Sequence, residues 1–251
     1  MQAYFLTDTG LVRNHNEDAG GVFRNKGDQL LAVIADGMGG HNAGDVASEI
    51  ATTTIQEKWE KTDFFTTPDE AETWLMETVI EINTSIYQYA QTNEAYQGMG
   101  TTIVAAICLD DFVSVANIGD SRCYLSNEQG FKQLTEDHSL VNELFRSGQI
   151  SKEDAEHHPR KNVLLKALGT EPSIQPDISS IGWEESNTLL LCSDGLSNKF
   201  NEPELAETIT QFDQLEEMGK QLISVAKGRG GEDNISIALV TYDVSKEEGD
   251  A

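Results

Sequence analysis

The sequence predicts an α+β fold made of antiparallel strands, and three observations predict it. Strand-like apolar segments fall into three groups, helical segments lie between the groups, and turn residues within the middle group read as hairpins. The first group covers residues 2–6, 20–24 and 29–35, where β-branched and aromatic residues dominate. A helix follows over residues 43–59, with Ala47, Ile50, Ala51 and Ile55 on its apolar side. Thr67-Pro68-Asp69-Glu70 is a capping box with proline at the first helical position. Ala71, Leu75, Val79, Ile82, Ile86 and Ala90 then recur at intervals of three and four, which is one apolar face of a long helix. The middle group covers residues 101–109, 112–118, 122–126 and 131–134. Asp110-Asp111 and residues 127–130 read as its hairpin turns, so these strands are expected to be antiparallel neighbours.

Shorter helices are expected at 140–146, 151–156 and 203–211, and the last strands at 188–192 and 235–242. A third long helix opens at Asp213-Gln214-Leu215-Glu216, buries Leu215, Met218, Leu222, Ile223 and Ala226, and stops at Gly228. Two antiparallel sheets packed face to face with helices outside would use all these elements. Periodicity alone supports the α+β class without requiring that sandwich.

Seventeen Lys and Arg face 43 Asp and Glu among 251 residues, a net charge of −26. So few cations argue against nucleic-acid binding, and an anionic membrane surface would repel the chain. A phosphate-bearing ligand would be repelled as well, unless its site supplies cations locally. No Pro/Gly/Ser-rich linker divides the chain, so one domain over residues 1–244 with a short acidic tail at 245–251 is expected. The longest apolar runs, 30–35 and 103–109, are too short to span a bilayer, and the first residues lack the features of a signal peptide. Cys108, Cys123 and Cys192 are odd in number and form no Cys-x-x-Cys, which reads as buried free thiols in a reducing cytoplasm.

The informative feature is the placement of four aspartates. Asp36, Asp120, Asp194 and Asp233 each stand at the edge of an apolar strand, with a glycine within two residues. One such aspartate is ordinarily a turn former or a helix cap. Four brought together would repel one another and rise in pKa unless cations neutralise them. Oxygen-rich clusters hold Mg²⁺ and Mn²⁺, and a neighbouring glycine lets a backbone carbonyl approach an ion. The spacing is not that of an EF-hand, and the His and Cys content is wrong for structural zinc. Gly37-Met38-Gly39-Gly40 lacks the dinucleotide-binding spacing, no phosphate-binding P-loop occurs, and neither Ser121 nor Ser193 sits in a nucleophile elbow.

Several motifs together resemble the metal-dependent serine/threonine protein phosphatases of type 2C. They are Arg13-x-x-Asn16-Glu17-Asp18, Ala35-Asp36-Gly37-Met38-Gly39-Gly40-His41 and Gly98-Met99-Gly100-Thr101-Thr102, followed by Asn117-Ile118-Gly119-Asp120-Ser121-Arg122, Thr135-x-Asp137-His138-Ser139, Ser193-Asp194-Gly195 and Asp233-Asn234. They stand in the family's order from Arg13 to about Tyr242, and the chain looks like the short bacterial form. The resemblance implies a central sandwich of two antiparallel β-sheets flanked by helix pairs, with a metal site at one end and a flap, residues 146–162, beside it.

It also implies roles. Asp36 would bridge two ions, Mn²⁺ or Mg²⁺, with the Gly37 carbonyl on the second and Asp194 and Asp233 completing the first. Asp120 with Asp194 would form a third ion's site. Glu17 and Asp18 would act through metal-bound water, and Arg13 would grip the substrate phosphate. A hydroxide bridging the metals would attack phosphorus in line, with no covalent phospho-enzyme. Eukaryotic members carry a histidine directly after the Asp-Gly, proposed as general acid; here that residue is Met38, which cannot donate a proton. His41 is the expected substitute. His138 reads as a structural hydrogen-bonder, and His157 and His158 fall in the flap.

The expected partners are phosphorylated proteins, substrates of a bacterial Ser/Thr kinase, met by a cytoplasmic monomer with no nucleic acid and no membrane insertion. Two other readings are a pseudophosphatase that only binds a partner and a phosphatase of the same fold acting on another phosphate ester. Broken ligand positions would favour the first of these, and they are intact.

Overall fold

A strand covered on both faces reads as an unbroken apolar run, because both sets of alternating side chains must be buried. Residues 30–35 are such a run, and every one of them is buried in the computed structural model, which describes residues 1–39, 43–92 and 94–242. The elements in chain order are β1 (Gln2–Asp8), β2 (Asp18–Arg24), β3 (Leu30–Met38), α1 (Ala43–Trp59), α2 (Pro68–Ala90), β4 (Gly100–Thr101), β5 (Ile103–Cys108) and β6 (Phe112–Ile118). They continue as β7 (Arg122–Asn127), β8 (Gly130–Gln133), α3 (Leu140–Arg146), α4 (Lys152–Glu156), β9 (Asp177–Gly182), β10 (Thr188–Cys192), α5 (Asp194–Ser197), α6 (Glu202–Thr210), α7 (Leu215–Gly228) and β11 (Ile235–Thr241).

Two antiparallel sheets result. One has the order β1-β11-β10-β7-β8, and the other β2-β3-β5-β6-β9 with β4 paired to β3. Alternation along β3 shows how four layers form. Leu30, Ala32 and Ile34 face Leu189, Leu191, Ala238 and Val240 of the other sheet, while Leu31, Val33 and Ala35 face α1 and α2. On the opposite side, Leu190, Cys192, Ile235, Ile237 and Leu239 meet α6 and α7. The expected sandwich flanked by helix pairs is the observed fold. Thr67 caps α2 as its sequence indicates, and Glu70 returns the bond to the Thr67 amide. All three cysteines are buried and free.

The structure departs from the sequence reading in instructive places. Strands 112–118 and 122–126 are not neighbours: β6 and β7 belong to different sheets. The chain crosses between sheets over residues 119–121, where Gly119 takes φ +104, a backbone state open mainly to glycine. Strand β3 does not stop before Asp36 but runs to Met38, because Gly37 and Met38 pair with β4. Strand β9 gives only a weak apolar signal, Ile178 and Ile181 among serines, because it is a largely polar edge strand paired to β6. The short helix α5 was also not anticipated. The acidic tail and His41 lie outside the described residues.

Ile34, fully buried between the sheets, tests this packing. Ile34→Ala is expected to lower the unfolding free energy by about 2–5 kcal/mol. The check is a urea titration in which the midpoint falls and the slope stays constant.

Candidate active site

One end of the sandwich collects the aspartates. Asp18 opens β2 directly opposite Asp36 on β3, so two carboxylates are cross-strand neighbours. Asp120 lies in the crossing from β6 to β7, Asp194 begins α5 where β10 ends, and Asp233 sits two residues before β11. Like charges facing each other across strands are unfavourable, and here burial adds to the repulsion.

The pKa directions record this. Burial drives the Asp36 carboxyl well above its ordinary range, and the charges of Asp18, Asp194, Asp120 and Asp233 push it the same way. Burial lifts Asp18 to about 7, even though Ser236 and Ser193 donate hydrogen bonds to its Oδ2 at 2.7 and 2.8 Å. Asp120 rises to about 7 through burial and the nearby Asp194, and Asp194 to about 6 through burial and Asp233. Glu17 is raised by burial. Asp18 Oδ1 is buried and has no hydrogen-bond partner among the described residues.

Backbone and hydroxyl contacts hold these groups. The Asp36 amide donates to Thr102 Oγ1 at 3.0 Å, the Asp36 carbonyl accepts from the Thr102 amide at 2.9 Å, and Thr102 Oγ1 meets Ser121 Oγ at 2.7 Å. One hydroxyl pair therefore links the strand that carries Asp36 to the crossing that carries Asp120. A Cβ on Gly37 would overlap the Gly44 carbonyl, and one on Gly195 the Asn234 carbonyl. Glycine at both positions lets the start of α1 and the β11 approach pack against the cluster.

Arg13 stands on a loop at the rim, with Nη2 2.9 Å from Asp233 Oδ2 and its side chain 47% exposed. The loop is clamped by Asn234, which sequence reasoning quoted only as part of a motif. Its Nδ2 donates to the carbonyls of Thr9 and His15, each at 2.9 Å, and its Oδ1 accepts the Glu17 amide at 2.8 Å. Asparagine's paired donor and acceptor explain that residue choice. A cavity of about 760 Å³ opens beside Asp120 and Asp194, walled by α3, the 146–162 segment and residues 197–202.

Arg13, Glu17, Asp18, Asp36, Gly37, Asp120, Asp194 and Asp233 are thus brought to one end of the fold. His41 lies outside the described residues, and His157 lines the cavity. Among the described residues, no three His, Cys, Asp or Glu side chains are arranged to hold an ion by themselves. The donors at hand are carboxylate oxygens, a backbone carbonyl beside Asp36 and an unpartnered buried oxygen. Such hard oxygen donors, completed by water, suit Mg²⁺ or Mn²⁺.

A model of the family described as Protein phosphatase 2C matches residues 12–229. The chain belongs to the protein phosphatase 2C family. It is 50% identical to a serine/threonine phosphatase, stp, of Listeria monocytogenes over 251 residues, covering 100% of both chains. Its fold matches the serine/threonine phosphatase Stp1 of Staphylococcus aureus with a TM-score of 0.91 and 40% identity, over 96% of this chain and 94% of that one. It also matches the catalytic domain of the serine/threonine protein phosphatase PstP, solved in complex with 2 manganese ions. That TM-score is 0.83 at 29% identity, over 95% of this chain and 96% of the other. The chain is a serine/threonine protein phosphatase, and its substrates are phosphoproteins.

The raised carboxyls make a prediction about the metal-free phosphatase. A carboxyl whose folded pKa lies above its unfolded value of 3.8 stabilises the fold fully below about pH 4, and that stability is lost as pH rises through about 7. In EDTA the thermal midpoint should therefore fall between about pH 5 and 8. Mn²⁺, which binds the ionised carboxylates, should remove most of that fall. Thermal scans across pH with and without Mn²⁺ check this.

Proposed function

We propose that the acidic end of the sandwich is the catalytic centre for hydrolysis of phosphoserine and phosphothreonine. The observation that carries the proposal is the convergence of mutually repelling carboxylates, Asp18 buried and the others half-buried or at the rim. Asp36, the Gly37 carbonyl, Asp194 and Asp233 would hold two divalent ions, Mn²⁺ or Mg²⁺. Asp120 with Asp194 would hold a third, and Glu17 and Asp18 would bind through water. Such ions supply Lewis acidity at the phosphoryl oxygens and make water acidic near neutral pH.

The protein's own residues do the rest. Arg13 offers a planar guanidinium fork from an exposed position beside Asp233, suited to two phosphoryl oxygens at once. Asn234 keeps that loop in place. Asp18 keeps its unpaired oxygen ready to accept from water. Met38 cannot donate a proton, so His41 is proposed to protonate the leaving oxygen. Residues 1–244 would act as one catalytic unit, a monomer in the bacterial cytoplasm on targets of a Ser/Thr kinase. Bacterial relatives named as serine/threonine phosphatases and the three buried free thiols support that setting. Among the described residues no helix is long and apolar enough to cross a membrane.

Hydrolysis of p-nitrophenyl phosphate and of a phosphothreonine peptide should vanish in EDTA and return with Mn²⁺. Asp194→Ala and Asp233→Ala should each lose at least about a hundredfold in activity while keeping the native circular dichroism. Folded variants with near-normal rates would refute the assignment. Arg13→Ala should lower kcat/KM about ten- to hundredfold, the worth of a hydrogen bond to a charged group. Arg13→Lys should recover only part of it, since the bidentate fork is gone.

A further inference from the structure

The crossing that carries Asp120 is held by a residue that touches neither the carboxylate cluster nor the cavity. Gly119, directly before Asp120, sends both of its polar backbone groups to His138. The Gly119 amide donates to His138 Nδ1 at 3.1 Å, and the Gly119 carbonyl accepts the His138 amide at 2.9 Å. His138 therefore contacts both peptide units flanking Gly119, while Asn117 Nδ2 also donates to the Gly119 carbonyl, at a longer 3.4 Å. A Cβ on Gly119 would overlap the Thr102 side chain, so the crossing cannot relax toward that side.

The same residue closes the base of the flap. The His138 carbonyl accepts the Leu165 amide at 2.7 Å, Ser139 bridges Leu164, and the Leu140 amide donates to the Val163 carbonyl at 2.8 Å. The segment leaves and returns at His138. Its neighbour Asp137 is gripped by the Arg122 fork, with Nε and Nη2 at 2.9 and 2.7 Å, so the strand after the crossing is tied to the same short stretch.

The ring geometry settles which nitrogen carries the proton. Nδ1 accepts a hydrogen bond and so bears none; the hydrogen of the neutral ring is on Nε2. Nε2 lies 3.2 Å from Asp177 Oδ2, inside ion-pair distance but off the line of a hydrogen bond, and makes no other polar contact. Lys166 Nζ stands 3.3 Å from the other Asp177 oxygen.

We propose that His138 is the positioning residue for Asp120, and that through it the base of the flap and the backbone turn that carries Asp120 share one hydrogen-bonded unit. This rests on Asp120 being an ion ligand, as proposed above. Residues that orient ligands typically contribute about ten- to hundredfold in metal affinity. An acceptor at the Nδ1 position, rather than the imidazole as such, is what the arrangement requires.

Two polar substitutions separate this from simple filling of space. His138→Asn keeps an oxygen near the Nδ1 position, whereas His138→Gln moves its amide out toward Nε2 and withdraws the acceptor from Gly119. Calorimetric Mn²⁺ titration of the full chain should show the Gln variant weakened about ten- to hundredfold at its weakest-binding ion, and the Asn variant recovering most of that loss. Equal weakening of both variants, or the reverse order, overturns the proposal. Asp120→Ala is titrated beside them. If it binds Mn²⁺ as the unaltered protein does, the ligand assignment itself fails. If it is weakened while neither His138 variant is, only the present inference fails.

Should the Gln variant not fold, nitrogen NMR of the unaltered protein decides. A ¹⁵N–¹⁵N coupling across the hydrogen bond from the Gly119 amide to His138 Nδ1 is expected, and it should change when Mg²⁺ is added. A coupling that is absent, or that Mg²⁺ leaves unchanged, overturns the proposal.

Discussion

Mutual repulsion among carboxylates governs this end of the molecule. Asp18 is buried and Asp36, Asp120 and Asp194 are half-buried, and each is pushed toward its protonated form by loss of solvation and in part by the others. The arrangement can be neutralised by protons, by protein cations or by ions from solution. Protein cations are few here. Arg13 reaches Asp233 at the rim, and the half-buried Arg122 is committed to Asp137. In the proposed function divalent ions would replace protons here, supplying the local cations that phosphate chemistry in an acidic protein requires.

Such a cluster persists only because the surrounding structure over-determines it. Asp18, Asp120, Asp194 and Asp233 stand at or just beyond strand ends, and Asp36 stands where the pairing of β3 passes from β5 to β4, so the side chains can turn out of the sandwich without leaving the core layers unfilled. Behind them lie three apolar layers, between the sheets and beneath each helix pair. Hydroxyls complete the support: Ser193 and Ser236 on Asp18, and Thr102 with Ser121 between the Asp36 and Asp120 backbones. Small hydroxyls suit this place because they satisfy a carboxylate without adding charge.

The charge of −26 acquires a location in this light. Asp36, Asp120, Asp194, Asp233, Glu17 and Asp18 are a small part of the 43 acids, so most of the excess is solvated surface. Against that background the cavity beside Asp120 is different. Arg122, Arg146, Lys152, Lys161 and Lys199 line it against an equal number of acids, so it is close to balanced in a strongly acidic chain.

Much was legible from residues alone. The apolar faces of α1, α2 and α7 follow from intervals of three and four, and the cap of α2 from Thr67 and Glu70. The unbroken run at 30–35 announced a strand covered on both faces. The motifs from Arg13 to Asn234 named the family and nearly every residue at the acidic end. What periodicity could not decide was partnership between sheets. Strands β6 and β7 are separated by three residues and were expected to be antiparallel neighbours, yet the crossing at Gly119 sends them to different sheets. Strand β9 is largely polar and exists because β6 offers an open edge. The role of Asn234 was hidden, and His138 was legible as a structural hydrogen-bonder but not by its partner, since each depends on backbone groups distant in the chain. Local sequence determines which faces are apolar and which residues can carry charge. Only the packed chain decides which distant backbone atoms meet them, because hydrogen-bond partners are set by where the core puts the loops.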